Sequence, residues 1–225
     1  MTAPKLAAIT LTLGGLFAWL AEATVHGRTL GIDNYLRLAL HAHASPALTT
    51  FMRWVSMAGE PVLLLTLTSI GILLFVNGSR RRTLAVFLVS VGGADLAGEL
   101  LKRVFHRARP EAFFGFALPD SYSFPSGHSV NACALFSVLA MYAAARTHSR
   151  MARMLGYAGA ALAILTIGFS RIYLGVHYPS DVLGGYLFAA LWLSFLVLLR
   201  MRYFTPPSRT SGEFRHALRR RHAPR

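Results

Sequence analysis

Five stretches of this chain run for 16 to 19 residues without a charged side chain, over 6–21, 61–79, 129–145, 154–170 and 182–199. A helix needs about 20 residues to cross the hydrocarbon of a bilayer. Inside lipid, helices and closed barrels alone satisfy their own backbone hydrogen bonds, so stretches of this length read as spanning helices. A sixth span starts near Leu84 and carries Asp95 and Glu99 before it reaches Lys102. Acids at that depth must face protein or water. Charged residues make up 14% of the chain, against about 25% in an average soluble domain.

The expected fold is all-α, an integral membrane bundle of six transmembrane helices. Its spans lie at about 5–22, 61–79, 83–104, 127–145, 154–171 and 179–200, within one domain of residues 1–204. An even number of spans puts both termini on one side. The 23 lysines and arginines outnumber the 9 acids, for a formal net charge of +14. Fifteen of those cations fall on the terminal side: Lys5, Arg80 to Arg82, Arg146, Arg150, Arg153 and eight arginines from Arg200 onward. The positive-inside rule makes both termini cytoplasmic, in the inner (cell) membrane. The charge is therefore an orientation signal rather than a nucleic-acid footprint. Residues 205–225 read as a basic cytoplasmic tail held against anionic lipid.

Two segments carry a second reading. The first span, with Ala21, Glu22 and Ala23 at its end, also resembles a secretory leader with a small-residue cleavage site. Region 24–60 reads either as an outer pair of amphipathic helices, with Leu36, Leu40, Phe51, Trp54 and Val55 at helical spacings, or as a packed loop. The single cysteine, Cys133, sits in an apolar run and reads as a packed small residue.

Helix parity sorts the residues with chemical capacity. Lys102 ends an outward span, and Arg109 and Pro110 follow it. Pro125, Ser126, Gly127 and His128 open an inward one. Ser170 and Arg171 end an outward span, and His177 and Asp181 begin the next inward one. All three clusters meet at one surface, the outer face; a shift of one span would separate them by about 30 Å. Ser126 is expected to cap the helix that follows it, with Gly127 admitting a ligand close to the backbone. Free N–H groups at a helix start favour an anion, and Lys102, Arg109 and Arg171 supply positive charge for its oxygens. Arg103 and Arg107 read instead as contacts to lipid headgroups.

His177 and Asp181 stand four apart around Pro179. Asp181 can accept the Nδ1 proton of His177 and leave Nε2 bare to attack. His128, expected to have no carboxylate of its own, can donate a proton to the departing oxygen. Phosphoryl transfer with His177 as nucleophile and His128 as acid follows. A metal centre fits poorly, because cations dominate the neighbourhood and Asp181 is the one nearby acid of ligand type. No cofactor is implied. The remaining histidines, among them His26, His41, His43, His106 and His148, need only surface or interface placement. Asp95 and Glu99 share a helix face and mark either a proton or ion path or a structural pairing that holds Lys102.

These residues resemble the three-block signature of the type-2 phosphatidic acid phosphatase superfamily: Lys102, six residues, Arg109-Pro110; Pro125-Ser126-Gly127-His128; and Ser170-Arg171, five residues, His177, three residues, Asp181. All eleven fixed positions match, which is far more specific than a lone short motif. The resemblance implies a six-helix membrane bundle and metal-independent dephosphorylation of a membrane lipid phosphate or pyrophosphate through a phosphohistidine. It further implies that His177 is the nucleophile, Asp181 its orienting acid and His128 the general acid, with Lys102, Arg109, Ser126, Gly127 and Arg171 holding the phosphate. Soluble vanadate-dependent haloperoxidases share the signature but not the spans. A lipid phosphotransferase using the same covalent step, and a non-enzymic lipid binder, are the alternatives; the complete set of reactive residues argues against the second.

Overall fold

The computed structural model describes residues 2–75, 80–116 and 118–203. The last four residues expected in the second span, and the basic tail, lie outside the described residues. Helix α1 covers Ala3–Val25, α2 Leu30–Ala42, α3 Pro46–Ala58 and α4 Pro61–Phe75. Next come α5, Arg80–Phe87, and α6, Gly93–Phe105, joined through a π-helical segment Leu88–Gly92. Helix α7 covers Gly127–Ala144, α8 Arg150–Tyr173 and α9 Pro179–Tyr203. Among the described residues there is no strand.

Five helices are long and apolar enough to cross a bilayer: α1, the continuous α5–α6 unit, α7, α8 and α9. Helices α3 and α4 reach the same standard only as a pair, bent by 48° at Gly59 and Glu60. Helix α1 packs along α9, and α7 lies between α8 and α9. Phe17, Leu20 and Ala21 of α1 share one core with Val91, Ala94, Phe124, Val130, Leu135 and Phe188, so α1 is part of the bundle that a cleaved leader would leave open. Cys133 packs against the same core. Leu11, Trp19, Leu162 and Leu165 point outward and are 60% or more exposed. For a bundle whose solvent is lipid, that apolar belt is the ordinary outer surface.

Glycines let the elements close on one end. The hydroxyl end of Tyr186 of α9 fills the space a side chain at Gly168 of α8 would take, and it donates to the Ile164 carbonyl at 2.8 Å. A Cβ at Gly184 would strike the Phe124 ring, and one at Gly185 would come within 2.7 Å of Ser129 Cβ and 2.8 Å of the Ser126 carbonyl. Helix α9 thus touches the loop that leads into α7. The π-helical segment breaks the ordinary backbone ladder, and Trp192 Nε1 donates to the Val89 carbonyl there at 3.2 Å.

Region 24–60 folds as two helices. Ser45 caps α3, accepting from Leu48 N at 3.3 Å, with Pro46 at the first helical position. Helix α2 is inverted relative to a helix on a soluble protein. Asp33 and Arg37 are buried against the bundle, while Ile32, Tyr35 and Leu38 face outward. That pattern suits a helix with its outer side in lipid and its inner side on a polar site.

Candidate active site

Lys102 ends α6, His128 lies in the first turn of α7, Arg171 lies in the last turn of α8, and His177 precedes α9. The bundle therefore brings all three sequence clusters to one end. A cavity of about 290 Å³ there is lined by Lys102, Arg109, Gly127, His128, Arg171 and His177, together with Glu60 and Glu99. Ser126 and Asp181 are not part of its lining. Asp181 stands behind His177, and Ser126 stands behind Gly127.

The tautomer of His177 follows from its partners. Arg109 Nη1 lies 3.1 Å from Nε2 of His177. A guanidinium only donates, so Nε2 is an acceptor and the ring proton sits on Nδ1. Nδ1 in turn faces Asp181 Oδ2 at 3.4 Å. Burial pushes the His177 pKa down from 6.5 to about 3; Asp181 opposes the shift, and Arg109 and Arg171 add to it. The bare nitrogen therefore points at a cation on the cavity wall, in a neutral ring.

Asp181 is fully buried and held from several sides. Its Oδ2 accepts from Tyr178 N at 2.8 Å and from the Ser123 hydroxyl, while Oδ1 accepts from Arg107 Nη1 at 2.5 Å. Ser126 N donates to the Asp181 carbonyl at 3.0 Å, which ties the start of α7 to the first turn of α9.

The cations are fixed in place. Arg109 donates to the Ser121 carbonyl at 2.6 Å, to Ser121 Oγ at 3.0 Å and to the Val176 carbonyl at 3.1 Å. Burial lowers its pKa, and the charges of Asp181 and Glu99 oppose that. Arg171 donates to Ser56 of α3, and its Nε is buried with no partner among the described residues. Lys102 is buried and pairs with Glu99. A Cβ at Gly127 would sit 3.2 Å from Lys102 Nζ, so the absence of a side chain leaves the ammonium at the cavity wall.

Four expectations are corrected. Ser126 occupies the N-cap position of α7 without a side-chain capping bond, and its hydroxyl is buried with no partner among the described residues. The backbone bond to Asp181 aims the residue inward instead. His128 does have a carboxylate, Glu60 Oε2 at 3.4 Å from its Nε2. The two histidines differ in which nitrogen meets an acid, not in whether one does. Asp181 is likewise not alone, since Glu60 and Glu99 also line the cavity. Arg107 faces no lipid: it is buried against Asp33 and Asp181. Arg103 is exposed. Asp95 accepts from Asn131 Nδ2 at 2.5 Å, and Asn131 also donates to the Gly127 carbonyl at 3.0 Å. Both intramembrane acids are thus engaged in side-chain pairing.

Sequence reasoning missed Asp33, Ser56, Glu60, Ser121 and Ser123. Asp33 and Glu60 were visible as isolated acids in apolar surroundings. Nothing local marks the serines.

Known proteins resemble this chain in sequence and in fold. Residues 83–204 match the PAP2 superfamily. Phosphatidylglycerophosphatase B of Bacillus subtilis (strain 168) is 33% identical over 187 residues, covering 81% of this chain and 90% of the relative. Undecaprenyl-diphosphatase of Sulfolobus acidocaldarius is 30% identical over 174 residues, 75% of this chain and 78% of that protein. The crystal structure of a transmembrane PAP2 type phosphatidylglycerolphosphate phosphatase from Bacillus subtilis superposes with a TM-score of 0.73 at 26% identity, covering 89% of this chain and 98% of that one. A match across more than half of the sequence, joined to a relationship that spans most of it, makes this chain a member of the PAP2 superfamily.

Proposed function

We propose that this membrane-embedded lipid phosphatase passes the phosphoryl group of its substrate first to Nε2 of His177 and then to water, with no metal. The observation that carries the reading is the Arg109 guanidinium 3.1 Å from Nε2 of His177, which requires a bare nitrogen beside a fixed cation. Lys102, Arg109 and Arg171 take the phosphoryl oxygens, together with the free N–H groups at the start of α7 around Gly127. Ser126 contributes by holding that turn to Asp181.

In the first step Nε2 of His177 bonds to phosphorus as the bond to the leaving oxygen breaks. His128 gives its proton to that oxygen. Asp181 accepts the Nδ1 proton's hydrogen bond while the ring becomes positive. In the second step water loses a proton to His128 and attacks phosphorus, the P–N bond breaks, and inorganic phosphate leaves. Donors set for the equatorial oxygens hold the trigonal bipyramid better than the tetrahedral ground state. Three cations against the carboxylates of Glu60 and Glu99 leave the cavity wall net positive, which supports metal-independent chemistry.

A cavity of about 290 Å³ suits a phosphate headgroup and not a whole lipid, so the tails stay in the bilayer. Phosphatidate, phosphatidylglycerophosphate and polyprenyl pyrophosphate are the substrate class; the relatives named above act at such headgroups according to their names. The distribution of arginines supports cytoplasmic termini and an active site on the extracytoplasmic side of the inner membrane.

The test uses purified full-length chain with radiolabelled dioctanoyl phosphatidate as the single lipid. Free phosphate release with chelator present, and an acid-labile label on the protein that His177→Ala abolishes, are expected. Label that survives His177→Ala would remove the phosphohistidine. Phosphoryl transfer to lipid without free phosphate would make the enzyme a transferase.

A further inference from the structure

We propose that Arg107 is a positioning residue for the catalytic carboxylate, and that Asp33 of the outer helix α2 fixes Arg107 for that task. The inference rests on the reading of Asp181 as the partner of His177. Arg107 does not line the cavity. Its Nη1 donates to Asp181 Oδ1 at 2.5 Å and to Ser180 Oγ at 2.7 Å, and its Nη2 donates to Asp33 Oδ2 at 2.8 Å and to Thr29 Oγ1 at 3.2 Å. The guanidinium stacks 4.3 Å above the ring of Tyr178. Ser180 closes the network, donating its N–H to Asp33 Oδ1 at 3.0 Å and its hydroxyl to Asp33 Oδ2 at 2.6 Å.

The division of labour on Asp181 gives Arg107 its role. Oδ2 receives Tyr178 N, Ser123 and His177, whereas Oδ1 receives Arg107. Without the guanidinium, a fully buried carboxylate oxygen loses its charged partner. The carboxylate is then free to turn, and the imidazole loses its fixed angle of attack. Asp33 is needed because one buried cation between two buried carboxylates sits still only when held from both sides. A lipid-facing helix, α2, thereby supplies part of the machinery.

Hydrolysis of dioctanoyl phosphatidate by the full chain in lipid nanodiscs tests this, with Arg107→Gln, Asp181→Asn, the double variant and Arg107→Lys. A carboxylate misplaced by about 1 Å predicts a kcat loss of about 10²-fold for Arg107→Gln. KM and inhibition by inorganic phosphate should stay within about 3-fold, because the phosphate-holding cations are untouched. The double variant should be no slower than its slower parent, and Arg107→Lys should recover part of the loss. Should Arg107→Gln fail to fold, the same split between kcat and KM in Arg107→Lys decides. Wild-type kcat in whichever of these variants decides, a loss confined to KM, or multiplicative losses in the double variant would overturn the inference. If Asp181→Asn itself turns over at the wild-type rate, the proposed role of Asp181 fails and takes this one with it. If Asp181→Asn is slow and Arg107→Gln is not, only this inference fails.

Discussion

Burial holds the His177 imidazole neutral, with its pKa near 3 rather than 6.5. The proposed nucleophile therefore stays deprotonated at pH 5, where exposed histidines have taken up a proton. Nitrogen-15 NMR of histidine-labelled chain at pH 5 should find one ring still in the neutral Nδ1–H form, and His177→Asn should remove it. A linked effect on folding has a definite sign. The unfolded chain binds a proton at this position below 6.5 and the folded chain does not until about 3, so stability falls as pH drops through that window. His177→Asn should flatten the fall in Tm between pH 7 and 4.5; an unchanged slope would show that the ring is not buried as described. At this scale the signature residues were legible, because their spacing fixes which helix end each occupies. Arg107 was misread because its partner Asp33 is 74 positions away, and a juxtamembrane arginine seen alone resembles every other one. Glu60 was missed for the same reason: its meeting with His128 depends on the bend between α3 and α4.

Helices α7 and α9 meet through small residues, and that contact brings the start of α7, which carries His128, close to the start of α9, which His177 precedes. Gly185→Ala adds a methyl 2.8 Å from the Ser126 carbonyl, which is backbone and cannot swing aside. Overpacking of this kind costs about 1 to 3 kcal/mol. Because the clash falls on the loop beside the candidate site, activity should drop by more than the Tm suggests. Gly159→Ala on α8 is the control, with nothing within 4 Å of the new methyl. A helix gains up to about 1 kcal/mol from that exchange, so its Tm should hold or rise. Thermal unfolding and phosphatidate hydrolysis on the pair settle the point, and equal behaviour of the two variants would contradict the close approach. The spanning helices were readable from hydropathy, since charge-free runs of this length read as helices in lipid. The bend before α4 and the π-helical turn before Gly93 were not, because hydropathy carries no signal for either. Trp192, more than 100 residues further on, bonds to the carbonyl at that turn.

On the scale of the whole molecule, the apolar belt makes this an integral membrane protein, and the orientation proposed above rests on the arginine distribution. Lys102, Arg109 and Arg171 at the catalytic end act against the positive-inside tendency. Each is tied into the site by hydrogen bonds, whereas Arg150 and Arg153 at the other end are exposed. The extracytoplasmic active site proposed above can be checked with the chain itself. Its single cysteine, Cys133, is half-buried within α7, so Cys133→Ser gives a background free of thiols. In that background Asp120→Cys, on the loop at the catalytic end, should react in intact cells with a maleimide that cannot cross the membrane. Thr147→Cys, between α7 and α8, should react only after the cells are opened. The reverse pattern would put the active site in the cytoplasm, and the enzyme would then draw its lipid phosphates from the inner leaflet.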